Sequence, residues 1–298
     1  MRMDKSGFSE NFRGGFSAGF PNDPDPVTFR WLGVGGVELS ARGQVLVVDP
    51  FFTRPPFSAL WGRRVTPNRS LVAVRLPRAD FVLVTHAHYD HLMDVPEVLR
   101  NHGAAAYGSP NTCRILAAEG IPAGQIHEIG AGAQLELGAF KIEAGRGVHG
   151  PTPLDVIINR PLAARLEPPL RLWDYRMDTC LSFFIQVNGL RVQCGGQLNP
   201  ADVLLINPNK APEHYRPLLQ AVQPRLVIPI HWDDFFSPLT CPLRPMLAPP
   251  RRAWPPISII DLAQFKRTIE EMSPPATVLL PEIFQTYDLT SPANKFAG

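Results

Sequence analysis

Short apolar runs of β-forming residues recur along most of the chain, and each is bounded by Gly, Pro, Asn or Asp. This pattern is typical of short, largely buried strands. We therefore predict strands at 27–39, 43–52, 81–86, 134–145, 180–194, 201–208, 225–231 and 276–282. The pair Asn188-Gly189 interrupts the fifth run and predicts a tight hairpin there.

Helical signals lie between these strands. Ser109 is a candidate N-cap, Pro110 fits the first helical position, and Gly120 is a candidate stop. Two further helices are predicted near 212–222 and 261–272. Because strands and helices are interleaved without a fixed-period repeat, we predict an α/β fold in which helices cover sheets. We expect a single domain over 27–298, preceded by a flexible N-terminal arm over 1–26.

The composition narrows the class of protein. A chain of 298 residues with 45% hydrophobic content can bury a large core. The 29 basic and 27 acidic residues give a net charge of +2 without long runs of one sign, so no nucleic-acid partner is indicated. The four cysteines form no C-x-x-C pair, which favours a reducing compartment. Neither a secretory signal nor an apolar stretch of membrane-spanning length is found, so we expect a cytoplasmic protein without a transmembrane segment.

Two proline-rich segments interrupt the alternation of strands and helices, one near 151–177 and one near 237–256. They are either surface insertions or the walls of a pocket, since long loops in compact domains are often binding elements. The aromatic residues that accompany them would suit an apolar or amphipathic small-molecule substrate: Trp173, Trp254, Phe235 and Phe236.

The stretch THAHYDH, at 85–91, contains three histidines and an aspartate directly after an apolar strand. We predict that these residues lie on a short loop between a strand and a helix, where their side chains can converge. Imidazole nitrogens and carboxylate oxygens are the ligands that zinc and similar divalent metals take outside thiolate sites. The stretch therefore predicts a metal site formed by His86, His88, Asp90 and His91.

The same stretch resembles the T-H-x-H-x-D-H signature of the metallo-β-lactamase fold superfamily. WLGVGGVEL and VLVVDPFF resemble the opening strands of that family, which end at an aspartate, here Asp49. His149 in GRGVHG and His231 in VIPIHWDDF stand where two further metal histidines are expected. The phrase IPIHWDDF is similar to the branch that contains ascorbate-6-phosphate lactonase and N-acyl-phosphatidylethanolamine phospholipase D. The resemblance spans 28–232 and implies a four-layer αββα sandwich.

The resemblance also implies a site for two divalent ions, with zinc expected and manganese or iron as alternatives. One ion would be held by His86, His88 and His149, and the other by Asp90, His91 and His231. Asp49 would orient ligands through hydrogen bonds.

One ligand that the family usually has is replaced. In VQCGGQLNPADVLLI, Gln197 stands where the resemblance implies an aspartate that bridges the two metals, or Gly196 if the alignment is shifted by one residue; neither is a carboxylate. An amide oxygen can bind one metal but adds no negative charge, so we expect weaker binding of the second metal, or another anion that completes the site. Cys194, Asp233, Asp234 and an anionic substrate are candidates for that role.

The resemblance implies a metallo-hydrolase in which metal-activated water cleaves an ester, lactone or phosphodiester bond and Asp90 moves a proton. The alternative that Gln197 keeps open is a metal-binding sensor or scaffold without hydrolytic turnover. A nuclease and a di-iron redox enzyme are less well supported, because neither an RNA-binding element nor a flavin-binding domain is recognised in the chain.

Overall fold

Two seven-stranded sheets form the centre of the protein. The computed structural model describes residues 25–150, 158–196, 199–248 and 258–290. The first sheet has the strand order β16-β1-β2-β3-β4-β5-β6, and the second has the order β15-β12-β11-β10-β9-β8-β7. The strands β13 and β14 form a separate two-stranded sheet.

The strands of the first sheet have these bounds: β1 Thr28–Gly33, β2 Gly36–Ala41, β3 Gln44–Val48, β4 Phe81–Leu83, β5 Ala105–Gly108, β6 Ile126–Glu128 and β16 Thr286–Asp288. Those of the second are β7 Gln134–Leu137, β8 Phe140–Arg146, β9 Leu181–Val187, β10 Leu190–Cys194, β11 Val203–Ile206, β12 Leu226–Pro229 and β15 Thr277–Val278, and the small sheet pairs β13 Leu247–Ala248 with β14 Ser258–Ile259. The helices are α1 Arg69–Arg75, α2 Tyr89–Leu92, α3 Val95–His102, α4 Pro110–Ala118, α5 Pro212–Val222 and α6 Leu262–Met272.

Alternation along the strands separates the core into layers. Successive side chains of a strand point to opposite faces. In β3, Leu46 and Val48 therefore pack between the two sheets, whereas Val45 and Val47 pack beneath the helices on the outer face. Val227 of β12 likewise faces the α5 and α6 side, while its neighbours face the other sheet. Helix, sheet, sheet and helix thus form four layers, which confirms the expected αββα sandwich.

The predicted helices agree closely with the structure. The helix predicted near 212–222 is α5, and the one predicted near 261–272 is α6. Ser109 caps α4 by accepting a hydrogen bond from the Thr112 amide. The Asn188-Gly189 pair forms the turn between β9 and β10, and both residues have positive φ.

Most of the predicted strands are shorter or divided in the structure, and two of these differences lie near the predicted site. The run 27–39 is a hairpin of β1 and β2, because Gly33 and Val34 adopt positive φ and reverse the chain. The run 81–86 is a strand only to Leu83, because the Thr85 amide donates to the side chain of Asp49 instead of to a neighbouring strand. The histidine-rich stretch therefore leaves the sheet earlier than the apolar pattern indicates.

The ends of four strands meet at one edge of the sandwich. In the first sheet, β3 and β4 are parallel neighbours. In the second sheet, β8 and β12 are not neighbours, but the pairings of the strands between them make both run in the same direction. Two backbone hydrogen bonds join the sheets there: the Leu181 amide donates to Thr85 O (2.7 Å), and the His231 amide donates to Val34 O (2.7 Å).

In the described part of the chain, no helix has the length and apolar character needed to cross a bilayer.

Candidate metal centre

The structure brings six of the predicted site residues together at this edge, in two adjacent clusters. His86, His88 and His149 form the three-histidine cluster, and Asp90, His91 and His231 form the aspartate cluster. Within each cluster the potential ligand atoms all lie within 4.8 Å of one another. The two clusters touch, since the rings of His86 and His91 are 3.9 Å apart between centroids.

The residues reach the site from three places in the chain. His86 and His88 follow β4, and His88 is the N-cap of α2. Asp90 and His91 lie in the single turn of α2, so the predicted loop is partly helical. His149 follows β8, and His231 follows β12 with φ of +60°, a left-handed conformation that is uncommon for a residue with a side chain.

The aspartate cluster has the spacing expected around a small cation. His91 Nε2 lies 3.2 Å from His231 Nε2 and 3.2 Å from Asp90 Oδ2, and His231 Nε2 lies 3.4 Å from Asp90 Oδ2. Ligand atoms bound tetrahedrally at about 2.0–2.1 Å from Zn²⁺ lie roughly 3.3 Å from each other. These three atoms therefore match three corners of a tetrahedral site.

Asp49 orients His91. Its Oδ2 lies 2.7 Å from His91 Nδ1, and the carboxylate is buried. A carboxylate that binds Nδ1–H leaves the other ring nitrogen directed at the cluster, the arrangement that accompanies metal-binding histidines. This is the orienting hydrogen bond that the sequence predicts for Asp49.

Thr85 links Asp49 to His86 and so orients the His86 ring as well. The Thr85 hydroxyl lies 2.5 Å from Asp49 Oδ2 and 2.9 Å from His86 Nδ1. An ionised carboxylate only accepts hydrogen bonds, so the single hydroxyl proton goes to Asp49, and the oxygen accepts from His86 Nδ1–H. His86 Nε2 then carries the lone pair, and it is a buried atom without a hydrogen-bond partner in the structure. A cation would satisfy it.

Burial and charge set different protonation states in the two clusters. Burial lowers the pKa of His86 well below its usual value and that of His88 to about 4, so both rings are neutral at pH 7. Burial opposes the charged form of Asp90, but His91 and His231 outweigh it and hold the pKa of this carboxyl well below its usual range. Burial also opposes a charge on His91, but Asp90 and Asp49 raise its pKa to about 10. A cation bound to His91 Nε2 would take the place of this proton.

Besides Thr85, two residues that lie against the histidines were given no role from the sequence. Asn159, in the first proline-rich segment, places its Oδ1 3.2 Å from His88 Nε2. Gly35, between β1 and β2, lies against the site: a Cβ added there would be 3.0 Å from the His91 ring. The WLGVGGVEL phrase contains Gly35, but its pattern does not indicate contact with an imidazole.

His231 is held by a buried ion pair. Arg54 Nη2 lies 2.7 Å from Asp233 Oδ2, and both side chains are at most 1% exposed. Asp233 Oδ1 accepts a hydrogen bond from the Val34 amide (2.8 Å), and the Val34 carbonyl accepts from the His231 amide. Asp233 therefore joins the loop after β12 to Arg54 and to the turn between β1 and β2, and the His231 amide adds a second bond to that turn.

Asp233 and Asp234, two of the candidates for completing the metal site, have other partners in the structure. Asp233 is used by Arg54 and Val34, and Asp234 accepts hydrogen bonds from Phe236 and Ser237. Cys194 is buried, which raises the pKa of its thiol to about 12, so it stays protonated at neutral pH. Gln197 and Trp254 lie outside the described residues, as do residues 1–24 of the predicted arm.

Comparison with known proteins agrees with the fold. Residues 45–232 match the family model described as the beta-lactamase superfamily domain. A UPF0173 metal-dependent hydrolase from Methanopyrus kandleri is 23% identical over 274 residues, which cover 87% of this chain and 98% of that protein.

Solved structures of other proteins share the fold. A metallo hydrolase from the hyperthermophilic archaeon Ignicoccus hospitalis superimposes with a TM-score of 0.56 at 17% identity, covering 89% of this chain and 99% of that chain. A metallo-beta-lactamase fold protein from Bacillus subtilis superimposes with a TM-score of 0.54 at 12% identity, covering 89% and 100%.

Proposed function

The chain belongs to the beta-lactamase superfamily, and on this basis we propose that it is a metal-dependent hydrolase with two adjacent divalent-metal sites. His86, His88 and His149 would hold one ion, and Asp90, His91 and His231 would hold the other. The similarity to proteins described as metal-dependent hydrolases supports this assignment. Zinc fits the nitrogen and oxygen donors, and manganese or iron would also be accepted by them.

The observation that carries the proposal is the shared hydrogen-bond network beneath the two clusters. A single carboxylate, Asp49, binds His91 directly and His86 through Thr85. It thereby directs one ring nitrogen of each histidine into the site. Packing alone gives no reason to gather five imidazoles, three of them buried, and a buried ionised carboxylate with their ligand atoms close to each other.

The reaction class follows from what such a site supplies. Bound divalent ions lower the pKa of water and polarise the carbonyl or phosphoryl oxygen under attack. Asp90 is the ionised carboxylate at the centre, and we assign to it the movement of a proton: it would accept the proton that the attacking water loses and pass it to the leaving group. Asp49 and Thr85 hold the imidazoles in place, and the Arg54–Asp233 pair holds the loop that carries His231.

We propose an ester, lactone or phosphodiester bond as the bond that is cleaved, in a small-molecule substrate with an amphipathic or anionic character. The resemblance of IPIHWDDF to the lactonase and phospholipase D branch supports this choice of bonds. The aromatic residues near His231 support an amphipathic substrate.

The test combines elemental analysis of protein purified without added metal with hydrolysis of bis(p-nitrophenyl) phosphate and of a simple lactone. We expect about two metals per chain and turnover that a chelator abolishes and added metal restores. Bound metal without turnover of any ester, lactone or phosphodiester would favour a metal-binding sensor or scaffold instead. A chain that binds no metal after addition of zinc or manganese would refute the proposal.

A further inference from the structure

A continuous row of aromatic rings leads from the metal centre to the surface. Phe235 packs edge-on against His231, with ring centroids 5.3 Å apart, and Phe236 lies 6.4 Å from Phe235. Phe57 lies 5.3 Å from Phe236, and Trp61 lies 5.4 Å from Phe57. We call Phe235, Phe236, Phe57 and Trp61 the aromatic strip.

The outer end of the strip is open to solvent. Phe57 is 57% exposed and Trp61 is 74% exposed, and both lie on one short 3₁₀ helix, Phe57–Trp61. At the inner end, the side chain of His231 remains 22% exposed. Exposed rings contribute little to folding, and a contiguous exposed apolar surface marks a place where something binds.

We infer that the aromatic strip binds the apolar acyl or aryl part of the substrate whose bond is cleaved at the metal centre. This inference rests on the proposed hydrolase function and specifies its substrate class. Continuity with His231 carries it, because a group that lies on Phe235 is directly beside the aspartate cluster. Flat aromatic side chains offer large contact areas to aliphatic chains and rings at small cost in conformational entropy.

The strip is built from two separate parts of the chain. Phe57 and Trp61 follow β3, whereas Phe235 and Phe236 follow β12. The Arg54–Asp233 ion pair fixes these two segments to each other, and Arg54 also donates to the backbone carbonyl of Asp234. The ion pair that positions His231 thus also positions the aromatic strip. The position of the strip relative to the aspartate cluster is therefore fixed.

The experiment compares p-nitrophenyl acetate, butyrate and octanoate as substrates of the metal-loaded protein. Since methylene groups that enter an apolar site raise kcat/KM steeply, we expect the octanoate to be preferred over the acetate by at least about tenfold. In the double variant Trp61→Ala/Phe57→Ala, the preference should fall to within about threefold, because turnover of the octanoate falls more than turnover of the acetate. Trp61→Phe should retain most of the preference.

Val74→Ala is the matched control, because Val74 has the same exposure of 74% but lies on α1, outside the strip. It should leave the whole ester series unchanged. An unaltered octanoate preference in the double variant would overturn the inference, and so would an equal loss of acetate and octanoate turnover.

A binding measurement separates this inference from the hydrolase proposal. Octanoate should shift the tryptophan emission of the wild-type protein to shorter wavelength, and acetate should not. Trp61→Phe should lack that shift. If the emission shift is present but no ester is hydrolysed, the proposal of ester cleavage fails, while the inference that the aromatic strip binds acyl groups is kept. If the shift is absent, the strip is not an acyl-binding surface.

Phosphatidylcholine vesicles test the competing occupant. If the protein sediments with vesicles through Trp61 and Phe57, and the double variant keeps its octanoate preference, the strip is a lipid-surface contact and the inference is overturned. We expect instead that the double variant and the wild-type protein behave alike toward vesicles.

Discussion

The two clusters of the candidate metal centre differ in charge and in the way they are held. The three-histidine cluster contains neutral imidazoles, because burial lowers the pKa of His86 and His88. The aspartate cluster contains an ionised carboxylate, and its histidine His91 is paired with a second one, Asp49. A cation would therefore keep its full charge in the first cluster and be partly neutralised in the second.

Their supports also differ. The three-histidine cluster depends on the Thr85 hydroxyl and on the exposed Asn159. The aspartate cluster depends on the Arg54–Asp233 pair, which is buried and ties two distant loops together. Asp49 serves both clusters, since it binds His91 directly and His86 through Thr85. Variants can therefore be chosen that affect one cluster, the other, or both, and four predictions follow in order of decreasing effect.

Removal of one ligand from either cluster should have the largest effect. We expect His86→Ala and His91→Ala each to lose one of two metals and to lower kcat/KM roughly a thousandfold, since a lost metal removes several kcal/mol of transition-state stabilisation. Elemental analysis and hydrolysis assays on the same samples measure both changes. His214→Ala is the control, because His214 is exposed on α5. Two metals retained in both cluster variants would show that these histidines are not ligands.

The buried ion pair should matter next, and for the aspartate cluster only. Asp233→Asn leaves the Arg54 guanidinium buried without its counter-charge, which should lower the free energy of unfolding by about 3 kcal/mol. The metal that His231 binds should also be held more weakly. Urea unfolding and metal titration measure these effects.

The neighbouring variant Asp234→Asn is the control, because the Asp234 side chain accepts hydrogen bonds from Phe236 and Ser237 of its own loop. We expect it to cost about 1 kcal/mol. If both variants lose equal stability and equal metal affinity, the ion pair has no special role at His231.

The hydrogen-bond network beneath the clusters should give a smaller effect that distinguishes them. Asp49→Asn should weaken metal binding at both clusters by about 10- to 100-fold, the range found when partners of metal-bound histidines are removed. Thr85→Val should act mainly on the three-histidine cluster, because His86 loses its acceptor while Asp49 keeps His91. Competition with a chromophoric chelator resolves the two affinities. Equal weakening of both metals by Thr85→Val would contradict the proposed division.

The smallest expected effect concerns Gln197. Gln197→Asp restores a negative charge at the position where the family resemblance implies a bridging aspartate. A negative charge beside a divalent cation contributes at least about 1 kcal/mol even in water, so affinity for the weaker metal should rise about fivefold or more. Metal content at limiting zinc measures this. Two fully occupied sites in both the wild-type protein and the variant would show that the glutamine does not weaken the site.

Much of the fold could be predicted because its pattern is local. The boundaries of α5 agree with the sequence, since Pro212 fits the first turn and the apolar residues repeat with helical spacing. The ends of β1 and β4 were less predictable. Val34 takes positive φ despite being β-branched, and Thr85 leaves the sheet because the distant Asp49 binds its amide.

The candidate site likewise contains residues that could be predicted from the sequence and residues that could not. His86, His88, Asp90 and His91 were predictable as a group, since the motif places them within six positions at the end of a strand. Asp49 was expected as an orienting partner from the family resemblance, but the other supporting residues were not predictable. Arg54 and Asp233 are 179 residues apart along the chain, and neither has a local pattern that indicates a buried pair. Asn159 lies in a proline-rich segment, where side-chain direction cannot be inferred from periodicity.

The sequence by itself determined the α/β class, the apolar faces of the strands, and the concentration of imidazole and carboxylate groups after β4. These features depend on residue type and short-range spacing, which set which side chains prefer burial and which can bind a metal. Only the tertiary structure decided how these groups act together. Thr85 and Asp49 fix the orientation of two histidines, the Arg54–Asp233 pair fixes a third, and the aromatic strip joins two segments far apart in the chain. The reason is physical: hydrogen-bond geometry and ring contact require distances of a few ångströms, and only folding brings distant residues that close.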